Sequence, residues 1–310
     1  MTENVDCVVI GAGPAGLSAT LNLVRARHRT LTVDTGRPRN AATLISHGFI
    51  TRDGISPREL RQLAVAELAA YPEAELRERC TVAGVHRRTE GGFDVVIAAR
   101  RGTPDETVTT PVVVVATGLR EELPAIPSLR AFYGMSIFSC AACDGYAYTG
   151  RPLALIGETD DLVARALLIH RWSRDLVVCT NGAAVIGPEE EALLASRAIA
   201  VDRRRIDDLE GEKGAVTAVR FADGGVRSIS GGFIRPRWHL GADFLEGLDL
   251  DVTTEGLLVA DRDGRTSVPG LYVAGDAAAP GPQQLIVAAG QGARVAAVIT
   301  HDGLGVVTSH

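Results

Sequence analysis

Cys140-Ala141-Ala142-Cys143-Asp144-Gly145 is the stretch whose residue types most directly imply chemistry. Two thiols separated by two residues can close a small disulfide ring and reopen it, and such pairs commonly carry a lowered thiol pKa and a moderate reduction potential. Zinc competes for the same residues. A structural zinc site needs two further Cys or His ligands at suitable spacing, and the chain has no second CxxC and no HxxxH. The other three cysteines are scattered. Cys7 and Cys179 lie in the apolar runs DCVVIG and LVVCT and read as buried structural thiols, and Cys80 stands apart. An odd, sparse set of this kind is not the disulfide framework of a small secreted domain.

Gly11-Ala12-Gly13-Pro14-Ala15-Gly16 is a GxGxxG turn in the context that gives it meaning. It follows the apolar run VDCVVI and opens a segment in which Ala15, Leu17, Leu21 and Val24 recur at helical spacing. The first glycine permits a tight turn, the second lets a pyrophosphate approach the backbone, and the third lets helix and strand pack closely. The helix start adds free N–H groups and partial positive charge. LTVD at 31–34 reads as the next strand, ending in Asp34, where a carboxylate accepts ribose hydroxyls. Taken alone, this motif does not separate FAD from NAD.

Elements that would position these groups follow from the rest of the pattern. Ser56-Pro57 is a helix start, and the helix should span about 57–70. VAGVHRRTEGGFDVVIAARRG alternates and turns at Gly91-Gly92 like an antiparallel hairpin, and PVVVVATG at 111–118 reads as a buried strand. A proline-punctuated crossing, LPAIPSLRAF, leads to the cysteine pair. A second strand–turn–helix–strand unit follows: PLALIG at 152–157, a helix over about 160–172, and LVVCT at 176–180. The chain crosses back near 234–240, then TSVPGLYVAGD forms a strand and PQQLIVAAGQGARVAAVIT a last helix. The fold class is therefore α/β, with two Rossmann-like domains, the second inserted in the first. The outer domain takes 1–119 and 236–310, and the central domain 120–235.

With 310 residues, 46% of them hydrophobic, the chain can bury two cores. A formal charge of −6 offers no pull toward nucleic acid or an anionic membrane. Arg203-Arg204-Arg205 has acidic residues close by and reads as a solvated face. The first residues lack a basic n-region and cleavage site, and no run of 18 apolar residues suggests a span, so a cytoplasmic protein is expected.

GAGPAGLSA, the ATG at 116–118, LYVAGD at 271–276 and CAACDG before PLALIG together resemble the two-dinucleotide-domain flavoprotein disulfide reductases, nearest to low-molecular-weight thioredoxin reductases. The likeness runs over nearly the whole chain. It implies FAD on the outer domain, held by Gly11, Gly13, Pro14, Ala15, Gly16 and Asp34, by Ala116, Thr117 and Gly118, and by Gly275 and Asp276 along the ribityl chain. Gln283 and Gln284 would begin a helix aimed at the flavin N1–C2=O edge. Asn40, His47 and Val82 complete the expected contacts. Cys143 would face the flavin, Cys140 would exchange with the external thiol, and Asp144 would be the acid/base, provided burial raises its pKa. A homodimer is implied in the same way.

Departures from that family matter as much. An NADPH-binding second turn should repeat the glycines, yet the chain reads Gly157-Glu158-Thr159-Asp160-Asp161-Leu162. Thr159 and Leu162 replace small residues, and three carboxylates stand where phosphates would sit, each like-charge contact costing on the order of 1 kcal/mol even in water. LVVCTNGAAV lacks the HRR-type cluster that grips a 2′-phosphate, and Trp238-His239 in GGFIRPRWH is unexpected, as a flavin cover, a pocket wall or plain packing. No NADPH is therefore expected. DTGRPRNAATLISHGFITRDG is similar to the FAD-dependent dithiol oxidases of dithiolopyrrolone and epidithiodiketopiperazine biosynthesis, the holomycin and gliotoxin pathways. That resemblance implies a small-molecule dithiol as substrate and O2 as acceptor, giving H2O2. A disulfide reductase fed by NADPH or ferredoxin is the alternative, and a flavin-binding redox sensor a further one.

Overall fold

The computed structural model describes residues 3–98, 105–278 and 282–305; the end of the expected hairpin stretch, 99–102, lies outside them. The chain forms two compact units. One comprises 1–41, 48–120 and 238–310, the other 42–47 and 121–237. The segment 42–47 thus groups with the central unit.

In the first unit, five parallel strands are ordered Leu271–Val273, Val113–Val115, Cys7–Ile10, Thr30–Asp34, Ala74–Glu78. The inner strands are short and buried but for Asp34 at the end of one, as befits a parallel sheet covered on both faces. Helix Pro14–Arg25 crosses the last helix, Leu285–Gly303, closely: a Cβ on Gly292 would collide with the Ala15 carbonyl oxygen. Gly16 plays the same part against the Gly11 carbonyl, which is why the third glycine of the turn is small. Helix Pro57–Leu68 starts as the sequence requires, with Ser56 Oγ accepting the Glu59 N–H at 3.1 Å. The hairpin forms as Thr81–Arg87 against Phe93–Ala98, and Glu106–Thr110 extends it.

The second unit repeats the parallel plan. Its sheet is ordered Ile137–Phe138, Gly231–Arg235, Leu153–Gly157, Leu176–Cys179, Ala200–Asp202, with helices Leu162–Ile169 and Pro188–Ala195. The helix expected over 160–172 is shorter, because the chain turns at His170 and the apolar run is spent. A three-stranded antiparallel sheet, Ile206–Glu212, Ala215–Phe221 and Val226–Ser228, packs into this unit's core. Its first turn places both Lys213 (φ 52°) and Gly214 (φ 81°) in the left-handed region, the geometry that joins twisted strands tightly.

Arg204 spans Asp202 at 2.6 Å and Asp223 at 3.2 Å, and Arg203 meets Glu191 at 2.7 Å. Pairs this exposed are screened by solvent and add little, so the arginine run is a solvated face. Cys7 and Cys179 are buried, and burial pushes both thiols far above the usual range, Cys179 to about 12. Among the described residues, no helix is long and apolar enough to cross a membrane.

Candidate functional site

In the first unit the parallel strands deliver their carboxyl ends to one edge, where α/β sheets bind ligands. Gly11–Gly16 follows the strand Cys7–Ile10, Asp34 ends the next, Ala116-Thr117-Gly118 follows Val113–Val115, and Gly275-Asp276 follows Leu271–Val273. Gly11 has φ +107°, and a Cβ there would lie 2.5 Å from the Ala116 carbonyl oxygen. Gly13 is the opposite case. It caps helix Pro14–Arg25 without a side-chain hydrogen bond, and a Cβ built on it meets nothing within 4 Å. The turn is thus closed on its protein side and open on the side a pyrophosphate would use.

Asp34 is tied to the turn. Its Oδ1 accepts the Ala12 N–H at 3.0 Å, and its Oδ2 accepts the Gly36 N–H and Arg61 Nη2, both at 2.9 Å. A carboxylate oxygen accepts two bonds, so Oδ1 keeps a lone pair for a hydroxyl. Thr117 Oγ1 is buried without a hydrogen-bond partner among the described residues, an orphan that a bound group would satisfy. The Gly275 N–H donates to Gln291 Oε1 at 2.8 Å, fixing the Gly-Asp corner on the last helix. That helix begins at Leu285 with Gln284 as its cap, one residue later than the sequence suggests. These features fit a dinucleotide.

Other expected contacts stand differently. Val82 is 6% exposed and its side chain belongs to the core, leaving only its backbone for a ligand. Asn40 lies in a short 3-10 turn, Arg39–Ala42. His47 belongs to the second unit, where its charge acts on Asp144. Sequence reasoning missed Arg39, whose guanidinium meets Asp276 Oδ2 at 2.6 Å and lies 4.8 Å from the centre of the Trp238 ring. Its only sequence signal was an arginine beside a proposed contact, Asn40.

In the second unit Cys140 and Cys143 are joined as a disulfide, with Cα atoms 5.3 Å apart. Cys140 caps the single turn Ala141–Asp144, and the Cys143 N–H donates to Cys140 Sγ at 3.2 Å. Asp144 follows directly. Burial pushes its carboxyl up to about 7, with His47 partly opposing the rise. Gly145 must be glycine because a Cβ would lie 2.7 Å from the Trp172 ring. Tyr148 closes the loop, its hydroxyl donating to the Met135 carbonyl at 3.0 Å and its ring edge-on to Phe138 at 5.4 Å.

The second unit's own strand-to-helix turn is filled by its side chains. Leu162 is fully buried against Gly157, 2.7 Å from where a Cβ would be. Thr159 Oγ1 donates to Asp161 at 2.7 Å, and Arg165 and Arg235 reach the same carboxylate at 2.8 Å each. Burial opposes ionisation of Asp161, but these donors hold its carboxyl below the usual range. Glu158 accepts from Asn181 Nδ2 at 2.7 Å, and Asn181 stands where a basic cluster would follow the strand. A cavity of about 170 Å³ remains, lined by Glu122, Pro124, Glu158, Thr159, Arg235 and Arg237 among others.

Fold and site together define an oxidoreductase built on two dinucleotide-type α/β units with a CxxC disulfide. The chain belongs to the pyridine nucleotide-disulphide oxidoreductase family, whose model matches residues 5–219; flavoproteins of this family bind FAD. The crystal structure of HlmI superposes with a TM-score of 0.90 at 33% identity, over 98% of this chain and 95% of that one. A chain named as thioredoxin reductase TrxB from Bacillus anthracis gives 0.89 at 38% identity, over 97% and 99%. Thioredoxin reductase sirT of Leptosphaeria maculans is 28% identical over 97% of this chain and 94% of its own length. By contrast, the match to a thioredoxin-reductase-type protein of Arthroderma benhamiae spans only 44% of that protein, at 29% identity.

Proposed function

We infer that this chain is an FAD-dependent oxidase that closes an intramolecular disulfide in a small dithiol of the dithiolopyrrolone type, with O2 as final acceptor. One observation carries the reading. The first glycine turn is open to a dinucleotide, while the second is occupied by Leu162 and by the bonded carboxylates of Glu158 and Asp161. Electrons then lack the usual nicotinamide entry but keep the disulfide and the flavin site.

The chain's own residues would act as follows. Asp144 accepts the proton of the first substrate thiol, and that thiolate attacks Cys140 Sγ, breaking the bond to Cys143. The substrate's second thiol gives its proton to water and, as the thiolate, attacks its own sulfur in the mixed disulfide. Cys140 departs as a thiolate, which the Cys143 N–H stabilises. The substrate leaves as its disulfide, and the protein pair holds the two electrons. FAD held by the Gly11–Gly16 turn and Asp34 would supply the capacity to take up those two electrons and, with the two protons removed from the substrate, to give them to O2 as H2O2; Cys140 and Cys143 then re-form their bond.

Relatives named thioredoxin reductase favour a second reading, a disulfide reductase fed by NADPH or ferredoxin. Anaerobic titration separates the two. Dithiothreitol or a reduced dithiolopyrrolone should bleach the flavin, and air should restore it with release of peroxide. Prompt bleaching by NADPH would sink the oxidase reading. The flavin site has its own check. Gly13→Val suits the observed φ of −75°, so the apoprotein should melt as before, yet the isopropyl group would stand in the pyrophosphate's place. FAD affinity should fall about 100-fold or more, a loss of ~2.7 kcal/mol measurable by fluorescence titration.

A further inference from the structure

Arg39, Trp238, Asp276 and Gln283 come from three distant parts of the sequence and meet in the first unit. Arg39 Nη2 donates to Asp276 Oδ2 at 2.6 Å, Nη1 reaches Gln283 Oε1 at 3.5 Å, and the guanidinium lies 4.8 Å from the centre of the Trp238 ring. Both charged side chains are largely shielded, with 26% and 16% of their surfaces exposed. The bonds to Asp276 and Gln283 engage two of the five N–H groups a guanidinium carries.

This is more apparatus than a structural ion pair needs. Asp276 is buried enough that its carboxyl is pushed upward, and the guanidinium counteracts this. The Trp238 ring, its centre 4.8 Å from the guanidinium carbon, supports the cation from one side. The group also sits between Asp276, assigned to the ribityl chain, and Gln283, beside the start of helix Leu285–Gly303. A helix start contributes only a partial positive charge, whereas Arg39 brings a whole guanidinium, its charge offset in part by the Asp276 carboxylate it bonds at 2.6 Å.

We propose that Arg39 is a positioning residue of the flavin site, a cation clasped by Asp276 and Trp238 that favours the reduced, negatively charged flavin over the oxidised one. The inference rests on the assignment of FAD to the first unit, and it adds the residue that sets how readily the flavin accepts electrons. Trp238 acquires a role as well, since its indole supports the cation.

The deciding measurement is the midpoint potential of bound FAD, obtained by equilibrium with reference dyes, in wild type, Arg39→Gln and Arg39→Lys. Arg39→Gln should disfavour reduced over oxidised flavin at least tenfold, a downward shift of about 30 mV for a two-electron couple. Arg39→Lys keeps the charge but not the guanidinium fork and should recover most of that shift. A merely structural role would alter apoprotein melting and leave the potential in place. An Arg39→Gln protein that holds FAD at the wild-type potential overturns the proposal. Should Arg39→Gln lose its FAD, Arg39→Met, which keeps the length of the side chain without its charge, is read by the same criterion: a fall of tenfold or more supports the proposal and a wild-type potential overturns it. A wild-type chain that binds no FAD would instead overturn the assignment of the flavin site.

Discussion

Cys140→Ser is expected to abolish dithiol turnover, by about a thousandfold or more, while leaving FAD bound. The loss should be this large because Cys143, left alone, has no partner thiol with which to form the disulfide that accepts the electrons. The three cysteines outside the pair are Cys7 and Cys179, both buried with thiols pushed far above neutrality, and Cys80, sixty residues away in sequence. The fold should survive, since the disulfide closes a loop of only two intervening residues and constrains little of the unfolded chain. Peroxide release from a dithiol substrate, measured beside the flavin absorbance of the purified protein, checks both halves. Turnover persisting in a flavin-loaded Cys140→Ser protein would remove the pair from the reaction.

Asp144→Asn should give the second-largest effect, a loss of about 100- to 10,000-fold with the pH dependence flattened near neutrality. Burial brings the Asp144 carboxyl to about 7 while the disulfide is closed, so near pH 7 about half the molecules hold a carboxylate able to take a thiol proton. Wild-type rates of dithiol oxidation should therefore rise with pH through about 7. As a thiolate forms beside it, the carboxylate gains a like-charged neighbour and binds its proton more tightly, which suits a base. Stability has the opposite slope. The unfolded group ionises near 3.8 and the folded one near 7, so the folded chain keeps a proton that the unfolded chain releases. Stability is then undiminished below about 3.8, falls as pH rises toward 7, and levels off above it. Asparagine removes this slope, so the variant should gain on wild type between pH 4 and pH 8, by ~4 kcal/mol at most. Denaturant melts at the two pH values measure it; parallel losses in both proteins would mean that Asp144 ionises normally.

Much of this was legible in the sequence where local chemistry and tertiary demand agree. The Gly11–Gly16 turn, the Ser56-Pro57 helix start and the Gly91-Gly92 hairpin each carry their reason within a few residues. The antiparallel sheet over 206–228 was less legible. Its strands are interrupted by register shifts at Ile206/Asp208 and Glu210/Gly211, which break the alternation that would announce them. The grouping of 42–47 with the central unit was not legible either, because it rests on contact between distant segments: Gly134 lacks a side chain where the Ala42 carbonyl oxygen sits. His47 and Arg39 share that limit. Each is an ordinary residue in sequence and acquires meaning from a carboxylate about 100 and 237 positions away, respectively.

Trp172 against Gly145 has a practical corollary. The chain has two tryptophans, Trp172 and Trp238. The ring of the first packs against Gly145, two residues after Cys143, and that of the second lies 4.8 Å from the Arg39 guanidinium, so each unit carries its own native optical reporter. Indole emission responds to nearby thiols and disulfides and to a cation over the ring. With either tryptophan replaced by phenylalanine, the opening of the disulfide and the state of the flavin pocket become separately visible in one protein, without a label.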